Sequence, residues 1–434
     1  MVVGDTIAAI ATAPGRGGVA VIRVSGPEAF AIAGTLTKRT EAAGGTRGFG
    51  VFKVHAPVTR GSSVIDECLV LFFRAPHSYT GEDVVEFQCH GGTVTTRRVL
   101  EACFAAGARL ARRGEFTQRA FLNGKLDYDQ AESVLDLIDA KTARAADAAL
   151  EGLAGRKRRE SAALYEEALA ISTDLEHALD IDEGELPSDF LPSVQARISA
   201  LRDRMEAAIR REREGKILRE GALVVLAGAP NAGKSSLMNA LLEENRAIVS
   251  DIPGTTRDSI EEGLDIDGWP IRLTDTAGLR ETGDVLEREG VTRAEKLMSD
   301  ADVVVILRPA GAQDCPSADQ STVIAVTSKC DIARGEGLNV SAKTGEGLPE
   351  LRRAIVAKLE ERFADGHACS PSPDETHLAV LLDASSALAS SGPSDLILRA
   401  NAVRTVAEKL GALVGATYSA DLLDRLFSRF CIGK

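Results

Sequence analysis

A glycine-rich loop near the middle of the chain carries the residues best suited to binding phosphate. The loop Gly228–Ser235 follows the apolar run Leu223–Ala227 and precedes a helix-like segment, Ser236–Leu242. Between a strand and a helix, such a loop turns backbone N–H groups toward phosphate, its lysine reaches the outer phosphates and its serine holds magnesium. We therefore predict phosphate contact by Lys234 and magnesium coordination by Ser235. A chance match on a glycine turn is the alternative, and the motifs that follow argue against it.

Two downstream segments match the parts of a nucleotide site that face magnesium and the terminal phosphate. Gly254–Asp258 is a polar segment in which the hydroxyl of Thr256 can complete the magnesium shell. A strand-like run then leads into Asp275–Gly278, where Asp275 suits the water-bridged side of magnesium. The N–H of Gly278 can contact a terminal phosphate. These segments extend the predicted site from the phosphates to the metal.

Two further segments predict recognition of guanine. Ser328–Asp331 is a variant of the Asn-Lys-x-Asp element, and Ser341–Lys343 fits the last turn that contacts the base. Asp331 can accept hydrogen bonds from the ring N–H and the exocyclic amine of guanine, a pattern that adenine does not offer. The order of these segments predicts a GTPase domain, with GTP favoured over ATP because Asp331 is present.

Two positions depart from the usual form of these motifs. Leu279 follows Asp275–Gly278, where many GTPases carry a glutamine that orients the attacking water, so another group must do this. Ser328 stands where asparagine is normal. Because its side chain is shorter, we expect weaker GDP binding than in a domain with asparagine.

Length and composition predict a multidomain soluble protein. The chain has 434 residues, which is too many for a single ordinary hydrophobic core. It is 44% hydrophobic and 26% charged. It shows no apolar run long enough to span a membrane and no N-terminal targeting pattern. Its seven cysteines form no Cys-x-x-Cys pair, which favours a reducing compartment and argues against a zinc site. We therefore expect a cytoplasmic protein without a membrane segment.

The charge balance bears on nucleic acid as a partner. A net charge of −13 argues against a protein that wraps nucleic acid by bulk electrostatics. A local basic patch, or a basic partner, could still bring RNA. The cluster Arg156–Arg159 is either a solvated helix face or an RNA contact.

Hydrophobic periodicity predicts the elements that hold the motifs. Residues 1–123 alternate strand and helix patterns, and residues 124–220 are helical with a break at Glu183–Pro192. Residues 221–365 hold the nucleotide motifs, and residues 366–434 are helical again. This order predicts an α/β P-loop GTPase domain inserted in an α-helical domain and preceded by an α+β N-terminal domain. The N-terminal strands are predicted at Ile7–Ala11, Val19–Val24, Val64–Phe73 and Val84–Cys89, and the helices at Pro27–Leu36 and Thr93–Ala106.

Five segments of the chain are lacking in generic GTPases: Asp5–Ile7, Ala13–Gly18, Thr80–Asp83, Gly114–Asp127 and Phe430–Lys434. With these segments, the chain resembles the MnmE (TrmE) family of tRNA-modifying GTPases over essentially its whole length. The resemblance implies an N-terminal domain that binds folate and forms a homodimer, a helical domain split in sequence, and an inserted GTPase domain. The departures are Ser328 and the short irregular stretch Pro309–Ser321.

The resemblance also implies a reaction. With an FAD-dependent partner of the MnmG (GidA) type, the family adds an aminomethyl-type group to carbon 5 of the wobble uridine of tRNA. The tRNA would be held mainly through the partner. The one-carbon unit would come from a reduced folate, 5,10-methylene- or 5-formyl-tetrahydrofolate.

Four positions match the folate-contacting residues of the family: Arg23, Glu86, Lys125 and Lys434. Cations suit the glutamate tail of a folate, and a carboxylate suits the amidine-like edge of the pterin. The alternatives are a plain ion pair for Arg23 with Glu86 and a solvated tail for Lys434. Cys431 is either a nucleophile near the folate or a small buried side chain.

The resemblance implies that potassium takes the place of an arginine finger near the β- and γ-phosphates. Its ligands would be the side chain of Asn231 and loop carbonyls at Ser250, Ile252 and Thr255, and Glu287 would orient the attacking water indirectly. The alternatives are a structural role for Asn231, a solvated Glu287, and charge supplied by Arg257 or Arg280 instead of potassium.

Motifs and resemblance together give the candidate nucleotide-binding residues. They are Asn231, Ala232, Gly233, Lys234, Ser235, Ser236, Ser250, Asp251, Ile252, Pro253, Gly254, Thr255, Thr256, Asp275, Thr276, Ala277, Gly278, Ser328, Lys329, Asp331, Ser341, Ala342 and Lys343. Magnesium is assigned to Ser235 and Thr256. Two competing functions remain: a ribosome-assembly GTPase that binds rRNA, and a folate-dependent one-carbon enzyme regulated by its GTPase domain.

Overall fold

The computed structural model describes residues 4–38, 51–181, 186–244, 261–275, 296–310, 322–364, 376–389, 396–414 and 420–434. The chain divides into two compact units. The first contains Met1–Leu135 and Thr417–Lys434, and the second contains Asp136–Ala416. The last helical segment therefore belongs with the N-terminal residues. The finer division at residues 123, 220 and 365 stays a prediction.

The first unit is built on a six-stranded sheet with the strand order β3-β4-β5-β2-β1-β6. Neighbouring strands are antiparallel, except β1 and β6, which are parallel. The strands are β1 Ile7–Ile10, β2 Val19–Ser25, β3 Val51–Arg60, β4 Ser63–Phe73, β5 Val84–His90 and β6 Arg109–Leu110. The helices of this unit begin with α1 Ala29–Thr37, α2 Thr93–Ala105 and α3 Glu115–Leu122.

The predicted strands and helices of this unit are confirmed to within about two residues. Sequence periodicity missed β3, which contains Pro57 and pairs only with β4 at the edge of the sheet. Proline lacks the N–H that a central strand must donate, but an edge strand tolerates it. Phe72 and Phe87 are at most 1% exposed and belong to the core beneath α1 and α2.

A network of charges joins α3 to the sheet. Arg119 donates to Glu82 Oε2 at 2.9 Å and to Asp5 Oδ1 at 2.6 Å, and it also lies 3.3 Å from Glu115 Oε1. Burial opposes ionisation of Glu115, but hydrogen bonds from Arg109 and a backbone N–H keep its pKa at about 2. Because every buried charge has a partner, the network specifies how α3 sits on the sheet.

The second unit contains a helical core built from two separate parts of the chain. Its helices are α4 Tyr128–Asp139, which begins in the first unit, α5 Ala143–Leu153, α6 Arg156–Leu179, α7 Phe190–Glu220, α8 Lys234–Glu244, α9 Leu348–Ala364, α10 Thr376–Ala389 and α11 Leu396–Val414. Leu164, Leu201, Leu381 and Leu410 are at most 1% exposed and lie in one cluster. Helices before and after the nucleotide motifs therefore share a core.

Two predictions about the helices need correction. The break at Glu183–Pro192 is too long, because α7 begins at Phe190 and includes Pro192. Proline is tolerated there because the N–H groups of a first turn have no partner within the helix. The cluster Arg156–Arg159 is not simply a solvated face, since Lys157 is mostly buried and pairs with Glu212 at 3.1 Å. Within the described ranges, no helix combines the length and apolar character that a membrane span requires.

The nucleotide motifs lie on a second sheet with the strand order β12-β11-β10-β7-β9-β8. All neighbours are parallel except β8 and β9, which form an antiparallel hairpin. The strands are β7 Ala222–Gly228, β8 Glu261–Ile266, β9 Trp269–Asp275, β10 Val303–Arg308, β11 Val323–Ser328 and β12 Leu338–Val340. Because the strands run parallel, the loops that follow β7, β9, β10, β11 and β12 emerge at one edge.

The remaining helix, α12 Ala420–Ser428, lies in the first unit together with the C-terminal residues. Arg113 Nε donates to the Phe430 carbonyl at 2.8 Å, and the N–H of Phe116 donates to the Lys434 carbonyl at 3.2 Å. These bonds fix the C-terminal residues beside α3.

Candidate functional site

The glycine-rich loop begins where two strands are in close contact. Gly228 has φ +144°, and a Cβ atom at this position would lie 2.4 Å from the Leu307 carbonyl oxygen of β10. Any other residue would therefore clash with the neighbouring strand. The predicted sequence of strand, loop and helix is confirmed, as β7 ends at Gly228 and α8 begins at Lys234.

Lys234 and Ser235, the predicted phosphate and magnesium residues, lie together at the start of α8. Lys234 is 6% exposed, and its Nζ donates to the carbonyls of Gly228 at 3.0 Å and Ala229 at 3.1 Å. The ammonium group is thus held against the loop. Ser235 Oγ donates to Asp275 Oδ2 at 2.7 Å, so a hydroxyl and a carboxylate meet as hard oxygen donors. This pair fits a magnesium ion, which prefers such oxygens.

The guanine motif contacts the phosphate loop directly. Lys329 has φ +57°, and its Nζ donates to the Asn231 carbonyl oxygen at 2.8 Å. Asp331 Oδ1 accepts a hydrogen bond from Ser341 Oγ at 2.7 Å. The carboxylate that is predicted to read guanine is therefore oriented by the last motif, Ser341–Lys343.

A cavity of about 320 Å³ lies among these motifs. Its lining contains residues from the phosphate loop, the guanine motif and the last base-contacting turn. They are Ala232, Gly233, Ser236, Leu237, Leu307, Val326, Ser328, Lys329, Asp331, Ile332, Val340, Ser341, Ala342 and Lys343. Motifs separated by roughly a hundred residues thus form one concave site that is lined by both apolar and polar residues.

Ser328 is 7% exposed, and its Oγ donates to the carbonyl of Arg308 at 3.1 Å. The hydroxyl therefore links the ends of β10 and β11 and supports the loop. The weaker GDP affinity expected from this serine stays a prediction.

Sequence reasoning missed the apolar part of the cavity. Leu307 and Ile332 line it, although neither belongs to a predicted contact. Ile332 directly follows the guanine motif and is 78% exposed. The sequence signal that could have identified Ile332 as a lining residue is its position directly after Asp331.

Several predicted site residues lie outside the described residues. They are Ser250, Asp251, Ile252, Pro253, Gly254, Thr255, Thr256, Thr276, Ala277, Gly278 and Glu287, and the alternatives Arg257 and Arg280 also lie there. Their roles stay predictions.

The predicted folate residues of the first unit lie partly together. Arg23 and Glu86 are directly opposite on β2 and β5, and Arg23 Nε donates to Glu86 Oε1 at 2.8 Å. The guanidinium carbon lies 5.5 Å from the ring centre of Tyr79 and 5.7 Å from that of Phe116. The ion pair expected as the alternative is therefore present, set among aromatic rings.

Lys434 is close enough to this pair to be affected by it. Burial lowers its pKa, and the charge of Arg23 lowers it further, whereas Glu86 partly offsets the effect. The solvated tail expected as the alternative is wrong, since Lys434 is partly buried. The side chains of Arg23 and Lys434 thus place two cationic groups near the carboxylate of Glu86.

Lys125 and Cys431 have surroundings that the sequence did not indicate. Lys125 Nζ is exposed and donates to the carbonyl of Pro76 at 3.0 Å. Cys431 is exposed, so the alternative of a small buried side chain is wrong.

Comparison with known families accounts for almost the whole chain. A family model described as the N-terminus of the GTP-binding protein TrmE matches residues 6–125. A second, described as the MnmE helical domain, matches residues 129–431.

Whole-chain relatives carry the name tRNA modification GTPase MnmE. The proteins of Moorella thermoacetica and Symbiobacterium thermophilum are each 42% identical to this chain, and each match covers 99% of both sequences. That of Stutzerimonas stutzeri is also 42% identical, again over 99% of each. Among solved structures, the G domain of the T. maritima iron transporter FeoB matches 32% of this chain and 98% of its own, with 27% identity and a TM-score of 0.23.

Proposed function

We propose a function from one established premise: this chain belongs to the MnmE family of tRNA modification GTPases. On that premise it is a GTP hydrolase that takes part in modifying carbon 5 of the wobble uridine of tRNA. The observation that carries the proposal is the cavity in which the phosphate loop and the guanine motif meet. A fold alone would not support it, because function depends on the site.

Each described side chain has a defined task in this proposal. Lys234 leaves its two loop carbonyls and pairs with the β- and γ-phosphates, where it stabilises the charge of the transition state. Ser235 and Asp275 would hold magnesium with their side-chain oxygens. Asp331 accepts from the guanine base. When bound, magnesium would neutralise charge that develops on the phosphates.

The function predicts a change in tRNA. In cells that lack this gene, nucleoside analysis of bulk tRNA should show wobble uridines without the aminomethyl-type group, because the chain would take part in adding that group. A plasmid copy of the gene should restore the group, and a Lys234→Ala copy should not. Unchanged wobble uridine together with accumulated ribosomal precursors would instead favour the rRNA-binding GTPase.

We also propose that potassium activates hydrolysis. Leu279 cannot orient water, and the glycine-rich loop contains no arginine. Asn231 has φ +63° and its backbone carbonyl is engaged by Lys329, whereas its exposed side-chain amide carries a second oxygen. Carbonyl oxygens suit a hard cation. Bound potassium would add positive charge beside the phosphates.

GTP turnover should therefore be at least about tenfold faster in potassium than in sodium at equal ionic strength, since the charge of an arginine finger is worth about 10³–10⁵ in rate. Asn231→Ala should remove most of this difference. Glu287→Ala should slow turnover but leave nucleotide affinity nearly unchanged, because its role lies in the transition state. Equal turnover in both salts, with loss of activity in Arg257→Ala or Arg280→Ala, would assign the charge to arginine.

We further propose that the first unit binds a reduced folate at Arg23, Glu86, Lys125 and Lys434. Glu86 would accept from the N–H groups of the pterin. The cationic side chains of Arg23 and Lys434 support this site, because an anionic glutamate tail could pair with them. Tyr79, which is partly exposed and lies beside Arg23, provides aromatic surface for the ligand.

Calorimetry with 5-formyl-tetrahydrofolate should show binding that Arg23→Ala weakens by about 10- to 100-fold, since a charge-assisted contact contributes roughly 1.5–3 kcal/mol. Arg60→Ala is the matched control, because it removes an exposed arginine–glutamate pair of the same unit. The affinity of the Arg60→Ala variant for this folate should equal that of the wild type. Equal affinity in Arg23→Ala and wild type would reject the assignment.

The remaining partners follow from the family and are also proposals. The chain would act as a homodimer with an FAD-dependent protein of the MnmG type, and that partner would hold most of the tRNA. Net charge supports this division, because a chain at −13 repels phosphate overall.

A further inference from the structure

The core of the nucleotide-binding sheet extends into the helices that precede it. Trp269 of β9 is 1% exposed and shares a cluster with Ala145 of α5 and Leu218 of α7. The sheet and these helices therefore bury apolar surface against each other. Packed interiors transmit displacement, because they have little free volume.

Arg144 lies where α5, α7 and the β8–β9 hairpin meet. Its guanidinium carbon is 4.0 Å from the ring centre of Trp269. Its Nε and Nη2 both donate to Glu214 Oε1 of α7, at 3.1 and 2.5 Å. Stacking on the indole together with a carboxylate contact is a geometry that arginine provides and lysine does not.

The hairpin turn is shaped to admit this side chain. Gly268 has φ +88°, and a Cβ atom there would be 3.3 Å from Arg144 Cβ. Asp265 Oδ1 accepts from the Gly268 N–H at 2.7 Å and fixes the turn. The backbone thus approaches α5 directly beside the stacked pair.

The other end of the same hairpin carries the nucleotide machinery. β9 ends at Asp275, which accepts from Ser235 at 2.7 Å, and β8 follows in sequence the segment that contains Thr256. Both predicted magnesium-side segments are therefore continuous with the hairpin that Arg144 holds.

We propose that Arg144 is a positioning residue that couples the nucleotide state of the hairpin to helices α5 and α7. It holds Trp269 of the hairpin and Glu214 of α7 together, so the hairpin moves with the helices instead of sliding over them. This inference rests on the proposed guanine-nucleotide binding. A purely structural arginine would stabilise both nucleotide states equally.

Hydrogen exchange of the full-length protein tests the coupling. Wild type and Arg144→Met are compared with GDP and with a non-hydrolysable GTP analogue bound. In wild type, the exchange rates of Ala143–Leu153 and of the last turns of α7 should differ between the two states by about fivefold or more. A factor of about five is the lower end of the range for allosteric coupling between two sites. In Arg144→Met this difference should disappear, although absolute exchange can rise in both states. Trp269 is the sole tryptophan, and its fluorescence should report the same loss.

Arg197→Met is the matched control. Arg197 of α7 bridges two carboxylates of α6, Glu167 at 2.9 Å and Asp174 at 2.5 Å, and its side chain is 34% exposed against 37% for Arg144. Within the described part of the chain, none of the ion pairs of Arg197 involves a residue of the hairpin. The nucleotide-dependent difference should be retained in this variant.

The outcomes separate the inference from the function on which it rests. If wild type binds GDP but α5 and α7 exchange identically in both states, or if Arg144→Met keeps the full difference, the coupling is overturned. If wild type binds no guanine nucleotide, the proposed function itself fails. If Arg144→Met does not fold, Arg144→Lys takes its place. It keeps the charge but not the planar stack, so at least half of the difference should be lost, and full retention would overturn the proposal.

Discussion

Parallel strands that end at one edge are the constraint on which the nucleotide site depends. β7 lies between β9 and β10, and each neighbour runs in its direction. The loops that follow these strands therefore emerge together, although their sequences are far apart. Gly228 permits the close approach of β7 to β10 that this edge requires. The Ser235–Asp275 and Lys329–Asn231 hydrogen bonds then join the loops to each other.

The same sheet is connected mechanically to the helices on its other side. α7 leads directly into β7, and its residue Glu214 holds Arg144 against the hairpin that ends at Asp275. β9 thus runs from the packing around Trp269 at one end to Asp275 beside the glycine-rich loop at the other. The proposed coupling between nucleotide state and helices would use this connection. In the first unit, ion pairs join a helix to the sheet, since Arg119 fixes α3 on that sheet.

The sequence indicated local features well and long-range contacts poorly. Strand, loop and helix around Lys234 follow from apolar runs and glycines, because such patterns are local. Asp331 was recognisable from its motif, and family resemblance supplied Arg23 and Glu86. No pattern indicated that Trp269 stacks on Arg144, or that Ile332 lines the cavity, since tertiary packing decides such contacts. Periodicity also did not indicate β3, whose place at the edge of the sheet depends on the fold of the whole unit.

Guanine recognition by Asp331 is the claim on which the site stands, and nucleotide titration of wild type and Asp331→Asn measures it most directly. Wild type should bind GDP about 10- to 100-fold more tightly than ADP or XDP, because charge-assisted bonds to guanine contribute roughly 1.5–3 kcal/mol. In Asp331→Asn the amide can donate to the carbonyl that xanthine carries in place of the amine, so preference should shift from GDP to XDP. Equal binding of GDP and ADP by wild type, or an unchanged preference in the variant, would contradict guanine recognition at this edge.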